Sequence, residues 1–479
     1  MESLKEKTGK GLLWSAINNG FAQICSLILG IFLARLLTPS DYGIVGVLSI
    51  FISLGGAMQA SGFNTGLINL KSPQPRDYNA VFWFSMGISI LIYAIFFVSA
   101  PLIASFFHQP CLVNLSRVLF LTLPMSAFGI SYGAYMTKRM MNREMAFISI
   151  VSLVVSGVLG VLAAWKGMAY WSLVIQQLSY IMITNIGRIY YVPWHPVWQF
   201  DFEPIRRMVG FCSRILVTHV ASLANQNILT FVFGRLFPIH AVGNFSQANK
   251  WSLMTSNMIS NTVGQISQTV MVSVVDEEER EVRVFRKLVR FMAFFCFPVM
   301  FGLVLVSHEF VLTTIGQKWE KSIPLLQILC IGGAFSPFYI LYQHLVISKQ
   351  RSDLYMWNSV GHIVMQLMIA LFMARFGIKT VVFGYSVLNI LWLFVWQFSA
   401  YCIIGHRTRH MLLDIMPFAC ISALVMLMTN LLTTAIMQPV ILLLSRVLIS
   451  STLYVFVMKL LKVEILDECL SYFRKICKF

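Results

Sequence analysis

Apolar residues run along this chain in blocks of about 20 to 30, parted by short polar stretches, from residue 11 to residue 461. A helical block of about 20 apolar residues crosses the hydrocarbon core of a bilayer. Strands of a membrane barrel would alternate polar and apolar positions over about ten residues, and these blocks do not alternate. The pattern predicts fourteen spans, at residues 11–36, 42–70, 78–106, 112–136, 145–165, 169–192, 207–236, 239–272, 289–315, 322–348, 354–376, 380–404, 411–435 and 439–461. Composition agrees: hydrophobic residues make up 58% and charged residues 11%, where a soluble domain carries about 25% charge. The fold class is therefore an all-α polytopic membrane protein. Its loops are too short to hold a separate catalytic domain. The apolar stretch after residue 10 is too long for a signal peptide and lacks a small-residue cleavage site, so it reads as the first permanent span.

The net charge of +17 sharpens the topology. With the N-terminus placed in the cytoplasm, 25 of the 36 Lys and Arg fall on the inner side and 8 on the outer. Arg214, Lys250 and Arg446 remain within spans. This bias predicts that both termini are cytoplasmic, and it accounts for the basic charge without a nucleic-acid partner. The nine cysteines and nine histidines form no metal-ligand or disulfide pattern, so no metal is expected.

A short stretch recurs. Ala34-Arg35-Leu36-Leu37-Thr38-Pro39, running on to Gly43, is echoed 200 residues later by Gly234-Arg235-Leu236-Phe237-Pro238, running on to Gly243. Six spans part the copies, which places both on the same face. A parallel repeat of that kind predicts two six-helix lobes: residues 1–195 (spans 1–6) and 196–406 (spans 7–12). Two extra helices over 407–461 and a cytoplasmic tail at 462–479 follow. A charged, aromatic linker over 191–204 joins the lobes.

Three spans carry polar faces. Gln247, Lys250, Asn257, Asn261 and Gln268 recur at helical spacing on the eighth. Arg214, Thr218, Ser222 and Asn225 do so on the seventh, with Asn227 on an adjoining face, and Ser15, Asn18, Asn19 and Gln23 on the first. Asn and Gln in spans also serve as hydrogen-bonding glue between helices. Lys250 is different. A charge at mid-bilayer costs about 2.5–3.5 kcal/mol, and every Asp and Glu can be placed in a loop, the tail or a span end. A cation without an acidic partner points to an anionic ligand in a wet cavity. Arg214 can join it, or reach toward the cytoplasm. Arg446 reads as snorkelling or as meeting a lipid headgroup.

Other features read as structure. Glycines crowd the second span, and Pro124, Pro298, Pro324 and Pro337 are expected to kink their helices. Residues 276–290 form an amphipathic cytoplasmic helix, and the tail can lie on anionic lipid.

At the residues that follow, the chain resembles a known family. Ser3-Leu4-Lys5-Glu6-Lys7-Thr8 with Trp14-Ser15-Ala16-Ile17, the Leu33–Gly43 stretch, Gly243–Lys250, Gly316-Gln317-Lys318-Trp319 with Pro324–Cys330, and Arg351-Ser352-Asp353-Leu354 resemble Wzx-like polysaccharide exporters of the colanic acid type. These belong to the multidrug/oligosaccharidyl-lipid/polysaccharide (MOP) exporter superfamily. The similarity weakens after the twelfth span, and Met271–Val275 departs from the family's turn. The resemblance implies a flippase of the bacterial inner membrane working by alternating access. Its cargo would be an oligosaccharide on undecaprenyl pyrophosphate, and a polysaccharide polymerase its further partner. Lys250 and Arg214 would hold the pyrophosphate. Asn18, Asn19, Asn225, Asn227, Gln247 and Asn257 would line the sugar path. No cofactor or catalytic residue is expected. A lipid II or drug exporter is the alternative within the class; cationic drugs would want an acidic cavity. A membrane polysaccharide enzyme would need a large outer loop or a His/Asp/Glu cluster, and neither is seen.

Overall fold

The computed structural model describes residues 4–60, 62–273, 278–349 and 351–467; the side chains of 4–19, of several positions between 211 and 278 and of 352 lie outside that description. Every regular element among the described residues is helical. In chain order they are α1 (Leu4–Leu36), α2 (Pro39–Ala60), α3 (Phe63–Asn69), α4 (Pro75–Phe106), α5 (Leu112–Leu119), α6 (Thr122–Lys138), α7 (Asn142–Trp165), α8 (Trp171–Tyr191) and α9 (Glu203–Leu236). There follow α10 (Ile239–Ser273), α11 (Glu278–Thr314), α12 (Ile323–Gly333), α13 (Ser336–Ser348), α14 (Ser352–Met373), α15 (Ile378–Ile404), α16 (Thr408–Leu432) and α17 (Pro439–Leu460).

Ten helical stretches among the described residues are long and apolar enough to cross a membrane. The remaining long helices, α1, α8, α9 and α10, run for 33, 21, 34 and 35 residues. Three of these four carry the polar faces described above, which is why length without apolarity marks them.

Helix starts follow local chemistry. Asp41 accepts from the backbone N–H and the hydroxyl of Thr38, at 2.8 and 2.6 Å, with Pro39 opening α2. Gln74 and Asp77 cap α4 reciprocally, with Pro75 in its first turn. Such boxes satisfy the orphan N–H groups of a first turn. The prolines correct one expectation. Pro124, Pro324 and Pro337 lie in the first turns of α6, α12 and α13, where a missing N–H costs nothing. The fourth and tenth predicted spans are thus broken helices rather than kinked ones; the second span breaks as well, at Gly62, whose φ of 72° suits glycine. Of these four prolines, Pro298 alone lies within a long helix, α11. The predicted amphipathic helix is not separate either: from Glu278 it is continuous with the ninth span.

The chain divides into two compact units, Met1–Gly243 and Asn244–Phe479. In the first, α7 packs on α1 and α8, and α2 on α4, α6 and α9. The linker after α8 is strapped to the end of α4. Asn79 donates to the Gln199 carbonyl (2.8 Å) and accepts from the Val197 N–H (2.9 Å), while the Trp83 indole donates to the Val197 carbonyl (2.8 Å). Trp194 packs on Tyr78, Phe82 and Tyr132. Arg76 bonds Asp201 and holds its carboxyl below the ordinary range. In the second unit α11 is the hub, packed on α12, α13, α16 and α17.

Within the first unit the two copies of the short repeat meet. A Cβ built on Gly43 would fall on the Ile239 carbonyl oxygen, and one on Gly243 on the Pro39 carbonyl oxygen. The two contacts are counterparts in the repeat, because Pro39 and Ile239, like Gly43 and Gly243, are the matching positions of its two copies.

Candidate substrate site

Helix α10 carries the clearest site residue. Lys250 is exposed, and its Nζ lies 5.7 Å from the centroid of the Trp251 ring, within cation–π reach. Among the described residues no carboxylate pairs with it. Asn257 and Asn261 are exposed about two and three turns further along, so their faces coincide with that of Lys250 as the spacing predicts. Gln247 departs from this set. It is fully buried, and neither amide atom has a hydrogen-bond partner among the described residues. It sits about 60° around the helix from Lys250, enough to turn it from the open face into the packed one. Trp251 goes the same way, its ring edge-on to Phe310 at 5.3 Å. Further on, Ser256 bonds Ser336 (3.2 Å), and Ser267 shares a 2.6 Å hydrogen bond with His344. These tie α10 to α13.

On α9, Asn227 is half-buried and donates to the carbonyl of Leu223 in its own helix at 2.9 Å. Arg214 and Asn225 lie on α9, and Asn18 and Asn19 on α1, but their side chains lie outside the described residues.

Arg446 requires a correction: it neither snorkels nor waits for a headgroup. Its guanidinium donates to Glu309 (2.8 Å), to Asn430 (2.7 Å), to the Leu305 carbonyl (3.1 Å) and to Thr433 (3.3 Å). A guanidinium among lipid-facing helices must find its acceptors in the protein. Glu309, about 8 Å along the axis from the C-terminal end of α11, supplies the charge. It is 6% exposed, so removing one partner strands a buried charge, at about 3–5 kcal/mol. Arg446→Ala should therefore lower the melting temperature of the purified protein by roughly 10 °C. The double variant Glu309→Ala/Arg446→Ala should recover much of that loss, and additive losses would refute the coupling.

Two further buried networks escaped the sequence. Between α14 and α15, His362 bonds Asn389 (3.1 Å) and Gln366 (3.3 Å); the i, i+4 spacing of His362 and Gln366 was the available signal. Near the C-terminal end of α15, Gln397 accepts from Tyr342 (2.8 Å) and donates to the His406 carbonyl (2.6 Å). Burial pushes the His406 imidazole, in the turn before α16, down to about 4, so it is neutral at pH 7. No group of His, Cys, Asp and Glu among the described residues could hold a metal ion.

The chain has relatives. Residues 32–324 match the family described as "Polysaccharide biosynthesis protein". The chain is 23% identical to the lipopolysaccharide biosynthesis protein WzxC of Escherichia coli strain K12, over 74% of this chain and 72% of that one. It is 22% identical to the teichuronic acid biosynthesis protein TuaB of Bacillus subtilis strain 168, over 81% of each. Among solved structures, the lipid II flippase MurJ in an inward closed conformation matches with a TM-score of 0.72 at 12% identity, over 94% of this chain and 99% of that one. An inward-facing MATE family transporter of the MOP superfamily matches with a TM-score of 0.64 at 15% identity, over 80% and 94%. At such identities the likeness establishes the fold.

Proposed function

The chain belongs to the polysaccharide biosynthesis protein family, and from that premise we propose that it is a flippase for lipid-linked oligosaccharides, working by alternating access. The cargo is a repeat unit on undecaprenyl pyrophosphate, passed from the inner to the outer leaflet of the bacterial inner membrane. Fourteen helices cross the bilayer with both termini in the cytoplasm. Two lobes over residues 1–195 and 196–406 rock about the cargo, and α16 and α17 flank them. The glycan changes leaflet without any covalent change and is handed to a polysaccharide polymerase.

One observation carries this reading. Lys250 is an accessible cation, without a carboxylate partner among the described residues, on a long helix with further exposed amides. A pyrophosphate is the anion such a site would take, because charge-assisted hydrogen bonds are strongest away from bulk water. Arg214 is its partner in this role. Asn18, Asn19, Asn225, Asn227 and Asn257 serve the sugar hydroxyls. Gln247, buried with an unpaired amide, joins the path when α10 repacks.

In proteoliposomes the protein should speed leaflet exchange of a pyrophosphate-linked oligosaccharide far more than that of a neutral glycolipid with the same sugar. Equal exchange of both lipids would remove the anion site from the mechanism.

A further inference from the structure

Four cations share one face at the inner end of α11. Arg283, Arg286, Lys287 and Arg290 follow i, i+3, i+4, i+7 spacing, which aligns them along a helix. They line one wall of a cavity of about 470 Å³, closed by α16 and by the residues just past α17. Asp414, wholly buried on α16, organises the floor. It accepts from Arg286 at 2.7 and 3.0 Å and from Arg290 at 2.5 Å. Those contacts use two donors of Arg286 and one of Arg290, out of five on each guanidinium. Among the described residues the acid lining the cavity itself is Glu464, against four cations in the wall.

Its height in the membrane follows from length. Helix α11 has 37 residues, about 55 Å, against a hydrocarbon core of about 30 Å. Its apolar run begins at Phe291, so the four cations lie at the inner interface rather than in the core. The rim beside them is apolar and bare: Leu413, Leu460 and Leu461 are all more than half exposed. A basic cavity bordered by lipid-facing leucines fits a ligand with a phosphate head and hydrocarbon chains.

We propose that this cavity binds the phosphate headgroup of an anionic phospholipid of the inner leaflet, with the acyl chains lying along α16 and α17. The site is independent of the transported cargo. Phospholipid of the inner leaflet is present at the cavity mouth at all times, and each cation near an anionic surface adds attraction.

The test uses the full-length protein in a neutral detergent, titrated with phosphatidylglycerol, phosphatidylcholine or inorganic phosphate, with binding followed by thermal shift and native mass spectrometry. Arg283→Gln/Lys287→Gln removes two cations and leaves the Asp414 contacts intact. Lys318→Gln/Lys321→Gln, past the opposite end of α11, makes the same change in net charge. Native protein and the outer control should bind phosphatidylglycerol, and more weakly at high salt. The inner variant should bind at least about tenfold more weakly, as two interfacial cations imply. Equal affinity in the inner variant would overturn the proposal. So would phosphatidylcholine matching phosphatidylglycerol. Inorganic phosphate binding as tightly as the lipid would leave an anion site and overturn the lipid.

Discussion

Lys250→Ala is expected to slow leaflet transfer of the pyrophosphate-linked oligosaccharide by about ten- to a hundredfold. A hydrogen bond to a charged group contributes about 1.5–3 kcal/mol, and each 1.4 kcal/mol is about a factor of ten. Lys250→Arg keeps the charge and should retain most of the rate. Asn257→Ala removes a neutral contact from the same face and should cost less, at most about tenfold. Folding is not at risk, because the Lys250 side chain is exposed and holds no ion pair among the described residues. The readout is the initial transfer rate in proteoliposomes at matched protein content. Native-like transfer by Lys250→Ala would make Lys250 a bystander, and the pyrophosphate would need another anchor.

Gly243→Ala and Gly43→Ala are expected to be among the most damaging methyl additions at the described glycines. In each case the new Cβ falls on a backbone carbonyl oxygen, of Pro39 or of Ile239. A side chain can rotate away from such a clash, but a helix backbone has to move as a whole. Overpacking against side chains costs about 1–3 kcal/mol, and these two substitutions should exceed that range. Gly56→Ala, on the same helix as Gly43, meets nothing within 4 Å. It should be neutral or slightly stabilising, since alanine favours a helix by about 0.5–1 kcal/mol over glycine. Thermal unfolding of the three variants in one detergent checks this order. A Gly243→Ala protein that melts with the native one would show that the helices meet less closely.

The helices were legible because their signal is local. Long apolar runs mark them, whereas the boxes at Thr38–Asp41 and Gln74–Asp77 came to light only in the structure. The glycines at 43 and 243 were legible only as a repeated motif and as packing residues. That the two copies touch depends on where α2 and the start of α10 lie in space. The prolines show the limit from the other side. A proline in an apolar run predicts a disturbed helix, but a kink and a fresh start differ only in how neighbours pack around the break.

The site divides in the same way. Helical spacing put Lys250, Asn257 and Asn261 on one face, and their exposure agrees. Gln247 belonged to the same arithmetic and is nonetheless buried, because it sits at the edge of that face and the packing of α10 decided its side.

By itself, then, the sequence determined the membrane character, the helical class and the place of Lys250 on a span that carries no acid. These depend on the composition and periodicity of contiguous residues. The tertiary structure alone decided that Arg446 is neutralised by Glu309, 137 residues away, and that Arg286 shares Asp414, 128 residues away. It also decided that four interfacial cations enclose a cavity rather than line a bare helix. Charge partners are a matter of which helices pack together, and in an apolar medium packing is set by shape and by the need to satisfy every polar group. Neither is written at a fixed distance along the chain.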